Sequence, residues 1–223
     1  MNDKKDERQS HFSRRDFLKI SGVAASVQLV AGPTVVEVAG EEVVMHGPGA
    51  VPVTLTVNGK KYTESLEPRV TLLDALREHL DITGAKRVCD RAECGACTVL
   101  IDSRAVYSCT TLAIEAQGKQ IVTAEGLGGG SQAHPVQTAF VNNDAQQCGF
   151  CTPGFTVATK AFLDKHPHAG DPEIAQGIGG NLCRCGTYRG IHGVVAQMTG
   201  RESKGNAGTT MIGGRTEKGG ANA

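Results

Sequence analysis

Hydrophobic and polar positions change their rhythm once along this chain. Val53-Thr54-Leu55-Thr56-Val57 alternates with the period of a half-buried strand. Asn58-Gly59 then supplies the residues a type I′ turn prefers, so residues 60–63 are expected to return as a hairpin partner. Thr71 with Asp74 three positions on reads as a helix cap, and Leu72, Leu73, Leu76 and Leu80 give the helix it opens one apolar face. Gly84 ends that region. Residues 98–101 and 105–109 read as a second hairpin and residues 120–123 as a closing strand. After Gly126-Leu127-Gly128-Gly129-Gly130-Ser131 the period becomes helical. His134-Pro135 opens a helix carrying Val136, Ala139 and Phe140, and a second begins near Pro153 and runs to about residue 163. Asp171-Pro172-Glu173 reads as a cap with proline at the first helical position, Ile174 and Ile178 share a face, and Gly179-Gly180 stops that helix. A last helix is expected over residues 189–198. The class is α+β, strands first and helices second.

The N-terminal residues have another character. Residues 1–12 are polar and charged. Ser13-Arg14-Arg15-Asp16-Phe17-Leu18-Lys19 follows, and then a weakly apolar run to Gly32. A basic start to an amphipathic helix would also carry paired arginines, but the seven-residue order has the form of a twin-arginine export signal. Val38-Ala39-Gly40 is a tolerable small-residue cleavage site. No clean A-x-A stands beside it, so retention as an uncleaved membrane anchor stays open. The expected division is a signal and linker over 1–50, a strand-rich domain over 51–125, a glycine-rich hinge over 126–132, a helical domain over 133–200 and a disordered tail over 201–223.

Composition narrows the function. Among 223 residues, 23 Lys and Arg balance 23 Asp and Glu, which gives no basis for nucleic-acid binding or a polybasic membrane patch. The absence of tryptophan makes the core mainly aliphatic. The seven histidines, among them His134 and His166, show no HExxH-type grouping. Gly177-Ile178-Gly179-Gly180-Asn181 resembles a phosphate loop only superficially, because no Lys-Ser/Thr follows, and it reads as helix termination.

The eight cysteines carry the chemistry. Cys89, Cys94 and Cys97 stand at C-x4-C-x2-C, and Cys109 follows after eleven residues. That is the spacing of a plant-type [2Fe–2S] site, in which a tight loop wraps the cluster and a neighbouring strand supplies the last ligand. Cys148 and Cys151 form C-x2-C, and Cys183 and Cys185 form C-x-C. No cysteine is left over. Structural zinc favours matched C-x2-C pairs, which the triplet does not offer. Disulfides suit an exported chain, yet twin-arginine export carries proteins already folded with their cofactors, which favours iron. The open readings are an electron-transfer subunit with two clusters, a free-standing exported ferredoxin, and a structural zinc or disulfide protein.

Both cysteine sets, with Gln147-Cys148-Gly149-Phe150-Cys151-Thr152-Pro153-Gly154 and Cys183-Arg184-Cys185-Gly186-Thr187-Tyr188-Arg189-Gly190, resemble the small iron–sulfur subunit of the xanthine oxidase family of molybdenum hydroxylases. Within that family the resemblance is strongest to iron–sulfur subunits of periplasmic aldehyde oxidoreductases, and it spans roughly residues 52–200. It implies an N-terminal β-grasp, plant-type ferredoxin domain followed by a four-helix-bundle [2Fe–2S] domain whose cluster lies nearer the molybdenum. It also implies that a large partner subunit holds the molybdopterin cofactor and oxidises the substrate, so that no catalytic residue lies on this chain. Electrons would leave to a flavin subunit or a cytochrome acceptor. Gln147 and Cys185 match the family positions that approach the pterin. The family usually has glycine just before the first cysteine and three residues after it, where this chain has Val88 and Ala92, which bears on the geometry of the loop.

Overall fold

The computed structural model of the chain describes residues 34–38, 41–128 and 132–201. The twin-arginine segment, residues 129–131 of the glycine-rich hinge and the tail beyond residue 201 lie outside the described residues.

Two short strands, β1 (Thr34–Val38) and β2 (Glu41–Met45), pair antiparallel as a separate ribbon. The sequence reading had assigned this stretch to a linker. Ala39 and Gly40, the centre of the expected cleavage site, lie outside the described residues, but Val38 and Glu41 on either side form the last pair of the ladder.

The first half of the body is a five-stranded mixed sheet. β3 (Val51–Val57) and β4 (Lys60–Leu66) form the expected hairpin. Asn58 and Gly59 both take positive φ, 51° and 78°, as a type I′ turn requires. β5 (Thr98–Ile101) and β6 (Arg104–Tyr107) form the second hairpin, and β7 (Gln120–Val122) closes the sheet, parallel to β3 and antiparallel to β5. The strand order is β4-β3-β7-β5-β6. Alternation along β3 sends Val53, Leu55 and Val57 into the core, where they meet Leu72, Leu73 and Leu76.

Thr71 caps the helix as expected, its Oγ1 accepting the Asp74 amide at 3.1 Å. The single amphipathic helix expected there is a short α1 (Leu72–Asp74) running into a π-helical segment, Ala75–His79. The Leu80 amide reaches back five residues to the Ala75 carbonyl at 3.1 Å. This wider turn still buries Leu72, Leu73 and Leu76, so the apolar stripe is preserved through a change of helical pitch.

The second half consists of α2 (Pro135–Asn142), α3 (Thr152–Lys165), α4 (Asp171–Gly177) and α5 (Tyr188–Met198). Phe140, Phe155, Ile174 and Ile191 are the large buried side chains of its core. The cap of α4 falls one residue earlier than the sequence suggested. Gly170 is the N-cap, its amide donating to the Glu173 carboxylate at 2.7 Å, so Asp171 is already helical.

His134 caps α2, its Nδ1 accepting the Val136 amide at 3.2 Å while its own amide donates to Gln137 Oε1 at 2.8 Å. The acceptor nitrogen must be unprotonated. Burial lowers the pKa of His134, and the positive charge of Lys160 lowers it further against the pull of Asp164. With a depressed folded pKa, the cap's contribution is complete above the unfolded value of about 6.5. It is lost as the pH falls through the folded value. Thermal melts from pH 7.5 downward are therefore expected to show a loss of stability that His134→Ser, a cap that does not titrate, largely removes. Parallel pH profiles for the two proteins would rule out this origin.

The halves are packed against each other. Leu100 of β5 and Leu127 meet Val157 and Ala161 of α3 in a small shared core. Glycines permit closer approach where backbone meets backbone. A Cβ on Gly154 would lie 2.4 Å from the Gly95 carbonyl oxygen and 3.1 Å from Ala96 Cα. The family-type run Cys151-Thr152-Pro153-Gly154 thus presses the start of α3 onto the first cysteine loop.

Candidate metal centres

The first cysteine loop folds back on itself because three of its residues take the left-handed conformation: Asp90 at φ 59°, Ala92 at 60° and Gly95 at 66°. Only the last is glycine. The alanine that stands where the family usually has glycine therefore still takes the conformation that glycine makes easy. A left-handed L-residue costs roughly 1–2 kcal/mol, against roughly 0.5–1 kcal/mol for the extra chain entropy of glycine. Ala92→Gly is expected to raise the stability of the loop by up to about 1 kcal/mol, read as a higher denaturation midpoint. A lower midpoint would mean that contacts of the Ala92 methyl outweigh the strain.

This turn gathers the first four thiols into two neighbouring pairs, Cys89 with Cys94 and Cys97 with Cys109. Cys94, Cys97 and Cys109 are buried and Cys89 is half-buried. Cys109 lies just past β6, in a 3-10 turn over Ser108–Thr110, rather than on the strand itself. The Ala92 amide points at Cys109 Sγ at 3.4 Å and the Glu93 amide at Cys89 Sγ at 3.3 Å. Burial opposes ionisation of Cys89, but the amide of Arg91, the Cys94 thiol and the amides of Glu93 and Cys94 together bring its pKa down to about 7. Burial, followed by the hydrogen bond and charge of Cys109, pushes Cys97 up to about 12.

The second set is built on helix starts. Cys151 is the N-cap of α3, and Cys148 precedes it across a turn made by Gly149 at φ 79°. Cys183 is buried, and Cys185 precedes α5, separated from its Thr187 cap by Gly186 at φ 76°. Cys151 and Cys183 are neighbouring thiols, and the charge of Cys148 is felt at Cys151. The Thr187 hydroxyl sits 3.2 Å from Cys183 Sγ. Burial works against the Cys183 thiolate, but the Thr187 hydroxyl and amide, the Cys151 thiol and the Cys185 amide lower its pKa to about 7. Burial and then the neighbouring Cys183 push Cys151 up to about 12. The Cys183 amide donates to Tyr188 Oη at 2.8 Å, and the Tyr188 ring packs edge-on against Phe155. Gln147, Cys148 and Cys185 lie exposed on the helical half.

Among the described residues, no three His, Cys, Asp or Glu side chains close around one point as a mononuclear site would require. A [2Fe–2S] cluster asks for something else, four thiolates shared as two on each iron. Thiols gathered in neighbouring pairs, with the pKa values of Cys89 and Cys183 each lowered toward neutrality by nearby donors, fit that demand. A second observation agrees at the helical site. Thr152 Oγ1, next in sequence to Cys151, is buried without a hydrogen-bond partner. The sulfur atoms of a cluster would be acceptors for it.

Three contributors escaped the sequence reading. Asn181 is only 4% exposed, and its Nδ2 donates to the Gly95 carbonyl at 2.8 Å and lies 3.3 Å from Thr98 Oγ1. Tyr107 donates its hydroxyl to the Gly180 carbonyl at 2.9 Å. The Leu182 amide donates to the Cys94 carbonyl at 2.9 Å. The signal available was the Gly179-Gly180-Asn181 run, one residue before the C-x-C motif, whose local pattern reads as a helix stop.

Comparison with known proteins places these two halves. Residues 55–124 match the family model described as a 2Fe-2S iron-sulfur cluster binding domain, and residues 123–196 match the [2Fe-2S] binding domain. The chain is 37% identical over 203 residues to the aldehyde oxidoreductase iron-sulfur-binding subunit PaoA of Escherichia coli (strain K12), covering 84% of this chain and 88% of that one. It is 40% identical over 151 residues to the nicotine 6-hydroxylase small subunit of Paenarthrobacter nicotinovorans, covering 68% and 91%. Among solved structures, a chain of quinoline 2-oxidoreductase from Pseudomonas putida 86 matches with TM-score 0.64 and 38% identity, over 68% of this chain and 94% of that one. The aldehyde oxidoreductase of Desulfovibrio gigas matches with TM-score 0.63 and 35% identity over 67% of this chain, which corresponds to 17% of that longer one.

Proposed function

The chain belongs to the two-cluster iron–sulfur subunits of the xanthine oxidase family of molybdenum hydroxylases, and on that footing we propose the finer reading that follows. It is the electron-transfer subunit of such an enzyme, working beside a large molybdopterin-binding subunit. The substrate class we assign is aldehydes, because an aldehyde oxidoreductase subunit matches over most of its length. Cys89, Cys94, Cys97 and Cys109 hold one [2Fe–2S] cluster in a β-grasp domain. Cys148, Cys151, Cys183 and Cys185 hold the other in a bundle of the four helices α2 to α5. The gathering of Cys89 with Cys94, Cys97 with Cys109, and Cys151 with Cys183 in the two halves carries this reading.

When bound, the clusters supply one-electron redox chemistry between the molybdenum side and an external acceptor or flavin subunit. The chain's own residues do the rest. The amides of Ala92 and Glu93 and the hydroxyl of Thr187 stabilise anionic sulfur at their sites. Burial of Cys94, Cys97, Cys109 and Cys183 keeps water away from half of the ligand sulfurs. Exposed Gln147 and Cys185 face the pterin side of the complex, and no proton is moved on this chain. We further propose export through the twin-arginine pathway, which agrees with Ser13-Arg14-Arg15-Asp16-Phe17-Leu18-Lys19. The zinc or disulfide reading and the free-standing ferredoxin are not favoured by relatives that are themselves subunits of such oxidoreductases.

The test is iron and sulfide analysis of the chain purified with its co-expressed large partner. About four irons per chain are expected from two clusters, with visible absorption. Fewer than about three irons in well-folded protein, or no stable association with a large subunit, would overturn the reading.

A further inference from the structure

The segment entering the second cysteine set is fastened to the loop of the first by three consecutive residues. The Gly180 carbonyl accepts the Tyr107 hydroxyl at 2.9 Å, Asn181 Nδ2 donates to the Gly95 carbonyl at 2.8 Å, and the Leu182 amide donates to the Cys94 carbonyl at 2.9 Å. Cys183 is the next residue in sequence. One hydrogen bond therefore links a cysteine residue of the first set to the residue that adjoins a cysteine of the second. The contact is close enough to exclude a β-carbon on either side. A Cβ on Gly95 would lie 2.6 Å from Asn181 Cγ, and one on Gly180 would lie 2.3 Å from Tyr107 Oη.

Asn181 is the buried centre of this fastening. It is uncharged, and its amide group donates to a carbonyl that already accepts the Thr98 amide at 3.1 Å and the Thr98 hydroxyl at 2.6 Å. Such a fully engaged buried network fixes one arrangement, because any shift leaves a buried polar atom without its partner.

We propose that Asn181 is a positioning residue for electron passage between the two metal sites, locking the Cys94–Cys97 loop to the approach to Cys183 through Gly95. This rests on the two-cluster reading above. The passage is a bare electron transfer: one side is oxidised by one electron, the other is reduced by one, and no bond is made or broken. Asn181 touches neither sulfur set in this role; it holds the backbone that carries them.

Asn181→Asp keeps the shape but turns the donor into an acceptor facing the Gly95 carbonyl. The experiment uses the full complex, with dithionite as reductant and electron paramagnetic resonance of the fully reduced protein as readout. Rapid-freeze sampling after substrate addition gives the rate at which the second metal site is reduced. The expected result is a smaller spin–spin splitting between the two signals and a slower transfer, by roughly ten- to a hundredfold, as small misplacements give elsewhere. Iron content and the individual signals should stay as in the parent. A role in folding alone would lower iron content and leave the splitting of the loaded fraction unchanged. Tyr107→Phe, which removes only the outer bond to Gly180, carries the same test if Asn181→Asp fails to load iron, with a weaker effect in the same direction. Parental splitting and rate in the loaded variants would overturn the proposal. Absence of iron from the parental complex would instead defeat the two-cluster reading.

Discussion

Cys94→Ser is expected to erase one of two iron–sulfur signals and stop turnover, while substrate still reduces the cluster that remains. The reason lies in how the thiols are paired. Cys94 neighbours Cys89 and lies in the loop gathered by positive φ at Asp90, Ala92 and Gly95, whereas Cys151 and Cys183 neighbour each other in the helical half. Each set has its own donors, the amides of Ala92 and Glu93 in one and the Thr187 hydroxyl in the other. Losing a thiolate in one set leaves the other set of four intact. Cluster properties follow hydrogen bonding and exposure. The two signals should therefore be spectroscopically distinct, with Cys151→Ser removing the complementary one. Rapid mixing of the Cys94→Ser complex with substrate should show the helical site reduced and the acceptor untouched. If the remaining cluster stays oxidised although molybdenum is intact, the order of the two sites along the path is reversed.

Much of this was legible in the sequence, for reasons that differ by element. The hairpin at Asn58-Gly59 could be read because a two-residue turn with positive φ at both positions demands those residues. The capped starts at Thr71 and His134 were legible because the cap is a local hydrogen bond written into neighbouring residues. Cysteine spacing pointed to two sets of four, since each contains cysteines only one or two residues apart. The π-helical turn at Ala75–His79 was not legible, because the apolar stripe of leucines suits either pitch. The β1–β2 ribbon was not legible because its two strands, Thr34-Val35-Val36-Glu37-Val38 and Glu41-Glu42-Val43-Val44-Met45, lack the strict alternation that marks β3. Asn181 was missed for a deeper reason. Its partners, Gly95 and Thr98, are more than eighty positions away, and nothing local distinguishes a clamp from a helix stop.

The same contrast applies to the glycines. Gly95, Gly154 and Gly180 look like loop punctuation in the sequence. In the fold they mark where the two halves come close, backbone to backbone at Gly154 and Gly95 and backbone to the Tyr107 ring at Gly180. Glycine there serves close approach more than flexibility, which explains how two sites on opposite sides of a glycine-rich linker can keep a fixed separation.

Replacing Arg14 and Arg15 together with lysine is expected to leave the folded, cluster-loaded chain in the cytoplasm. Eight thiols in an exported protein are at risk of oxidation to disulfides, because that environment favours such bonds. Cys89–Cys94, Cys97–Cys109 and Cys151–Cys183 are already adjacent thiol pairs, and Cys89 and Cys183 have pKa values near 7 that make them partly thiolate at neutral pH. A chain exported unfolded would meet that oxidant with every thiol free, whereas one folded around its iron would not. Export after folding is what a twin-arginine signal provides, and lysine keeps the charge while changing the paired guanidinium groups. Fractionation should find the double variant, brown and associated with its large partner, in the cytoplasmic fraction, with none of the exported activity. Normal amounts of the variant outside the cytoplasm would mean that residues 13–19 are not the signal.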